Sequence, residues 1–137
     1  MNLLDTRRRA PRIHVDGLCG VVTADESLQH ATMSDLSTSG LRIERPFDPK
    51  AARSVVQLEI ELPGLDEVVW ASARVTHASL TPMGGRRSDG EPRFWCRAGL
   101  RIIDVAARER RMLRDYVIEQ LTETTRRAHV LDRRTAA

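Results

Sequence analysis

A mainly β domain that ends in one α-helix is the fold class this sequence predicts, and three observations carry it. Between Arg12 and Ile103 apolar residues recur with a period of two, the pattern of strands with one buried and one wet face. Short clusters of Gly, Pro and Asp interrupt that pattern at intervals suited to turns. From Asp104 the period changes to 3.6, the repeat of an amphipathic helix.

The elements follow in order. Ile13 and Val15 alternate with His14 and Asp16 in the first strand, and Leu41 and Ile43 alternate with Arg42 and Glu44 in a later one. In Val56-Gln57-Leu58-Glu59-Ile60-Glu61-Leu62 every second residue is apolar. Pro63-Gly64 stops that strand, and Val69, Ala71, Ala73 and Val75 share a face of the next, so the two read as a hairpin. Leu80 to Pro92 holds Pro82, Gly84, Gly85, Gly90 and Pro92 and predicts a surface loop. Phe94 to Ile103 is the last strand, with Cys96, Ala98, Leu100 and Ile102 on one side, which makes six strands in all. Trp70 and Trp95 fall on outward faces. Asp104 is the expected N-cap of the helix, whose apolar face is Val105, Met112, Leu113, Tyr116, Val117 and Leu121. Beyond Thr124 the apolar repeat fades, so 125–137 reads as a frayed, basic, disordered tail.

A length of 137 residues suits one domain and suffices for a core without disulfides or metal. The 41% hydrophobic and 30% charged residues are those of an ordinary globular chain. No apolar run reaches the ~20 residues that span a bilayer, and Met1 to Arg12 lacks the apolar stretch of a secretory leader, so a cytoplasmic protein is expected. Cys19 and Cys96 share no metal-ligand spacing with His14, His30, His77 or His129 and read as buried free thiols. Neither a metal nor a cofactor is expected. The sequence also lacks a Ser/His/Asp arrangement, a phosphate-cradling Gly-rich loop opening a helix, and a carboxylate–His cluster, so a binding protein is expected rather than an enzyme. Nucleic acid is not the expected partner: the net charge is only +3, with 19 acidic residues and 4% aromatics.

Two short segments carry the functional signal. Arg7-Arg8-Arg9-Ala10-Pro11-Arg12 places guanidinium groups on a stretch that Pro11 keeps out of regular helix. Asp35-Leu36-Ser37-Thr38-Ser39-Gly40 places a carboxylate and hydroxyls on a Gly-containing turn. Arg8-x-x-x-Arg12 followed by Asp35-x-Ser37-x-x-Gly40 resembles the signature of PilZ domains, small bacterial six-stranded antiparallel β-barrels with a C-terminal helix that bind the second messenger cyclic di-GMP. The likeness extends from about Arg7 to Leu121, and Arg97-Ala98-Gly99-Leu100-Arg101-Ile102-Ile103-Asp104 looks like the family's last strand, with Ile102 where an aromatic is common.

Arginine suits such a ligand, because its planar fork pairs with phosphate oxygens and with guanine O6 and N7 and can stack on a base. On a semi-extended segment Arg8 and Arg12 lie about 12 Å apart, far enough to hold different parts of one ligand. Asp35 can accept from guanine N1 and N2 or orient an arginine; Ser37 can donate to a phosphate or hold the turn. Gly40 is expected to provide either a positive φ or a close backbone approach. The resemblance implies that Arg8, Arg12, Asp35, Ser37 and Gly40 take the family's binding positions, with Arg7 and Arg9 beside them. Ser39 lies on the same turn; His77, near a strand end, is placed to border a nucleotide there but reads first as a solvated surface residue.

The chain therefore divides into a flexible Arg-rich switch loop at 1–11, the barrel with its helix at 12–124, and the tail at 125–137. The implied function is a cyclic di-GMP receptor that changes shape and regulates a protein partner in motility, surface or polysaccharide machinery. The alternative is an adaptor that acts through protein contacts without nucleotide.

Overall fold

The computed structural model describes residues 11–22, 28–49 and 52–136, with side chains described as far as Val130. Six strands precede one helix: β1 (Ile13–Val22), β2 (Leu28–Leu36), β3 (Gly40–Pro46), β4 (Val55–Glu61), β5 (Val68–Arg86), β6 (Pro92–Val105) and α1 (Ala107–Ala136). All neighbouring strands are antiparallel. Their order is β1-β2-β3-β6-β5-β4, and because β1 pairs with β4 as well as β2 the sheet closes into a barrel.

The period-two pattern explains what fills it. Leu41 and Ile43 of β3, Val56, Leu58 and Ile60 of β4, Val69, Ala71 and Ala73 of β5, and Ala98 and Leu100 of β6 all point inward and are buried. Closure leaves no ladder edge within the ring, which removes the usual liability of a sheet of short strands.

Helix α1 lies across the end of the ring where β4 finishes and β5 starts. Leu113, Tyr116 and Val117 are buried there, and the Tyr116 phenol donates to the Pro63 carbonyl at 2.7 Å. Glu109, in the first turn, accepts from the Trp70 backbone N–H at 2.6 Å. At the opposite end, where β3 finishes and β6 starts, the β3–β4 connection is tied to the ring by bonds from Phe47 N to the Phe94 carbonyl and from Val75 N to the Ser54 carbonyl.

Four expectations change. The segment 80–92 is not a loop over its length: β5 and β6 form a long hairpin that reaches from Ser79↔Arg97 through Pro82↔Phe94 to Arg86↔Pro92. Gly84 and Gly85 sit within its register shift, and Gly85 and Gly90 take φ values of 84° and 86°. A proline is tolerated there because this part of the hairpin projects beyond the ring, where its missing N–H leaves no neighbour unpaired. Asp104 is not the N-cap, since β6 continues to Val105 with Asp104 opposite Ser72, and the first helical bond runs from Arg110 N to the Ala106 carbonyl. The segment expected as a frayed tail continues the helix to Ala136, with Glu123 paired to both Arg126 and Arg127 at 3.3 Å; i,i+3 and i,i+4 pairs support helix where no tertiary contact does. Of the two thiols, Cys19 is fully buried whereas Cys96 is only half-buried.

Candidate functional site

The turn between β2 and β3 is built around one buried hydroxyl. Ser37, 1% exposed, accepts through Oγ from the backbone N–H groups of Gly40 at 3.0 Å and Ser39 at 3.2 Å and donates to the Gly40 carbonyl at 3.1 Å. Its own N–H bonds to the same carbonyl at 2.8 Å. Ser37 thus holds the turn, the structural one of its two sequence-level roles. Ser39 is exposed; its carbonyl accepts from Ile102 N at 2.8 Å, which ties the turn to β6.

Gly40 does not take a positive φ. Its requirement is the close approach: a Cβ there would run into the Leu100 carbonyl oxygen on β6. Backbone cannot yield as a flexible side chain can, so the position admits no other residue without a shift of β3 from β6.

Arg12, immediately before β1, and Asp35, near the end of β2, meet across 3.4 Å between Nη1 and Oδ2. The guanidinium is 59% exposed and the carboxylate 14%. Asp35 Oδ1 is buried and has no hydrogen-bond partner among the described residues. A buried acceptor of this kind is costly to leave unmatched, and it lies beside a cation with donors to spare.

The ring's register adds groups that spacing could not show. His14, Asp35, Arg42, Gly99 and His77 form one row across β1, β2, β3, β6 and β5, and Gly40, Arg101 and Arg74 form the next. A cleft of about 340 Å³ is lined by Arg12, Ser39, Gly40, Thr76, Leu100 and Arg101. Arg42, Arg74 and Arg101 are exposed, and the only signal for them in the sequence was that they occupy polar slots of the alternation. His77 is not at a strand end. It sits within β5 with its ring against Gly99, where a Cβ would stand, and its Nδ1 lies 3.3 Å from Thr76 Oγ1. Thr76 in turn donates to the Gly99 carbonyl at 3.1 Å. The structure therefore brings together Arg12, Asp35, Ser37, Ser39 and Gly40 and places His77 on the neighbouring wall. Arg7, Arg8 and Arg9 lie outside the described residues. No cluster of three or more His, Cys, Asp or Glu suited to a metal occurs among the described residues, and no described helix is long and apolar enough to cross a membrane.

An antiparallel barrel with a helix across one end, an Asp-x-Ser-x-x-Gly turn and an arginine ahead of the first strand define a class of small β-barrel domains. Within that class the chain belongs to the PilZ domain family, whose pattern matches residues 6–119. It is similar to the PilZ domain of YcgR from Escherichia coli, solved with c-di-GMP, at 20% identity and a TM-score of 0.62 over 90% of this chain and 98% of that one. It is also similar to the Bacillus subtilis inhibitor of motility MotI/DgrA, at 20% identity and a TM-score of 0.58 over 85% of this chain and 52% of that one. A third similar structure is the c-di-GMP complex of MrkH from K. pneumonia, at 13% identity and a TM-score of 0.64 over 88% of this chain and 55% of that one. The chain thus spans about half the length of the last two, and identities this low speak to the shared fold. A search of curated proteins returns no match.

Proposed function

We propose that this chain is a receptor for cyclic di-GMP that signals through contacts with another protein. The observation that carries the reading is the Arg12–Asp35 pair with its buried, unmatched Oδ1, set beside the cleft of Gly40 and Arg101. Asp35 has the acceptor a guanine N1–H or N2–H₂ edge needs. Arg12 and Arg101 have forks for phosphate or for guanine O6 and N7. Arg8, with Arg7 and Arg9, completes the set by its place in the motif. The reading is supported further by two of the similar structures, the YcgR domain and MrkH, being complexes with this ligand.

Four or five charge-assisted bonds of roughly 1.5–3 kcal/mol each, offset by the entropy of fixing the long arginine side chains, leave a net of about 8 kcal/mol, or about micromolar affinity. The chemistry calls for no metal or cofactor. A ligand held by the arginines ahead of β1 changes the surface offered there, and a partner in motility, surface or polysaccharide machinery is the reading we favour over a nucleotide-independent adaptor.

Calorimetric titration with cyclic di-GMP, with GTP and cyclic GMP as controls, tests the proposal. Saturable binding selective for the cyclic dinucleotide is expected, weakened at least about tenfold in Arg8→Ala and in Arg12→Ala, the worth of one lost charge-assisted bond. The Arg12–Asp35 pair is open to solvent on its arginine side, so Arg12→Ala should change folding stability by less than about 1 kcal/mol. Folded protein that does not bind, or variants that bind normally, would overturn the receptor reading.

A further inference from the structure

The end of the barrel opposite the helix contains a feature that nucleotide binding does not use. Strand alternation along β3 turns Leu41, Ile43 and then Arg45 toward the interior, and the first two are buried core. Arg45 is half-buried, and its Nη1 is fully enclosed with no hydrogen-bond partner among the described residues. Its charge reaches the thiols of both Cys19, inside the barrel, and Cys96, opposite it on β6. The neighbouring carboxylate Glu44 points to the other face, where it accepts from Trp95 Nε1 at 2.9 Å and pairs with Arg97 at 3.2 Å.

The guanidinium borders a cavity of about 90 Å³. Its walls include Val21, Ile43, Val56, Val75, Ala98 and Leu100, and its mouth carries Arg53 and Asp48. Asp48 is engaged in an interaction of its own, while Arg53 donates one bond, to the Ala52 carbonyl at 2.8 Å. Among the described residues that line the cavity, two guanidinium groups stand against one carboxylate.

We propose that this end of the barrel binds a short-chain monocarboxylate, with its hydrocarbon body among the aliphatic walls and its carboxylate on Arg45. The unmatched buried donor calls for an anionic or strongly accepting oxygen. The planar fork of arginine favours a carboxylate, which presents two oxygens in one plane. Volume limits the body: at ~30 Å³ for a water-sized group, the cavity takes about three such groups, or three carbons. The carboxylate end lies away from the nucleotide cleft, although Leu100 lines both: Gly40 and Arg45 are five residues apart on one strand, about 17 Å.

Methyl-resolved NMR titration of the full chain with butyrate tests this. Butylamine supplies the same body with the opposite charge, and acetate supplies the head without the body. Saturable shifts at Ile43, Val56 and Val75 are expected with butyrate and at least about tenfold weaker binding with either control. In Arg45→Met, which keeps the length of the side chain, butyrate binding should fall about tenfold, the worth of one charge-assisted bond. No saturable shift in the folded protein, an equal response to butylamine, or undiminished binding in Arg45→Met would each overturn the proposal. The comparison of ligands on the unaltered protein decides the matter even if the variant does not fold.

Discussion

Ser37 and Gly40 do their work by excluding alternatives. The buried Ser37 hydroxyl has three backbone hydrogen bonds within its turn, so Ser37→Ala strands the Ser39 and Gly40 N–H groups and should cost about 1–3 kcal/mol in urea unfolding. Gly40→Ala pushes a methyl into the Leu100 carbonyl and should cost a similar ~1–3 kcal/mol, while moving the turn enough to weaken cyclic di-GMP binding; unchanged affinity would show that the turn is no part of the site. Cys19 sets a pH dependence. Burial pushes its thiol up from 9.0 to about 12, against a smaller opposing pull from Arg45. The unfolded chain therefore releases this proton near pH 9.0, while the folded one holds it to about pH 12. Stability from this group is complete below pH 9.0 and is lost as pH rises between those values. The Cys96 thiol and the Tyr116 phenol are raised too, mainly by burial, and act in the same direction. Urea midpoints should thus hold steady from pH 7 to 8 and fall above pH 9, and the fall should be shallower in Cys19→Ala; an equal slope in both would assign it to other groups.

At the scale of elements, the helix divides into a part that packs and a part that does not. Leu113, Tyr116 and Val117 are buried and Leu121 is half-buried, but from Thr124 to Val130 every residue is exposed. Truncation after Thr124 should therefore shift folding stability by no more than about 0.5 kcal/mol, measured by thermal unfolding; a larger loss would mean that the end of the helix is anchored in solution, for example on a second copy. Period and capping residues led to Asp104 and Thr124 as the bounds of this helix, and both were misplaced for the same reason. A strand ladder with a partner, Ser72, outcompeted a local cap, and helix already nucleated against the barrel propagates past the last buried residue at little cost. The long β5–β6 hairpin was hidden in the same way. Its Gly and Pro content is that of a loop, and only pairing with a neighbour makes strand of it.

For the whole molecule, closure implies a gradient of stability. Residues 76–82 of β5 are all exposed, whereas Val69, Ala71 and Ala73 on the same strand are buried. Amide exchange should be slowest in the ring and fast between about Pro82 and Gly90, since local opening needs little apolar surface there; uniform protection along β5 would contradict it. The sequence by itself determined the alternation that buries one face of each strand, the count of six strands and a final helix, and the arginine and Asp-x-Ser-x-x-Gly motifs. These depend on side-chain period and local turn chemistry, which are written along the chain. Tertiary structure alone decided that Gly40 is needed for a close approach rather than a positive φ, that Arg42, Arg74 and Arg101 border the same wall, and that Arg45 turns inward with its Nη1 unpaired among the described residues. Each depends on which strand lies beside which and in what register, and a ring closed by pairing β1 with β4 sets that register through contacts between residues far apart in sequence.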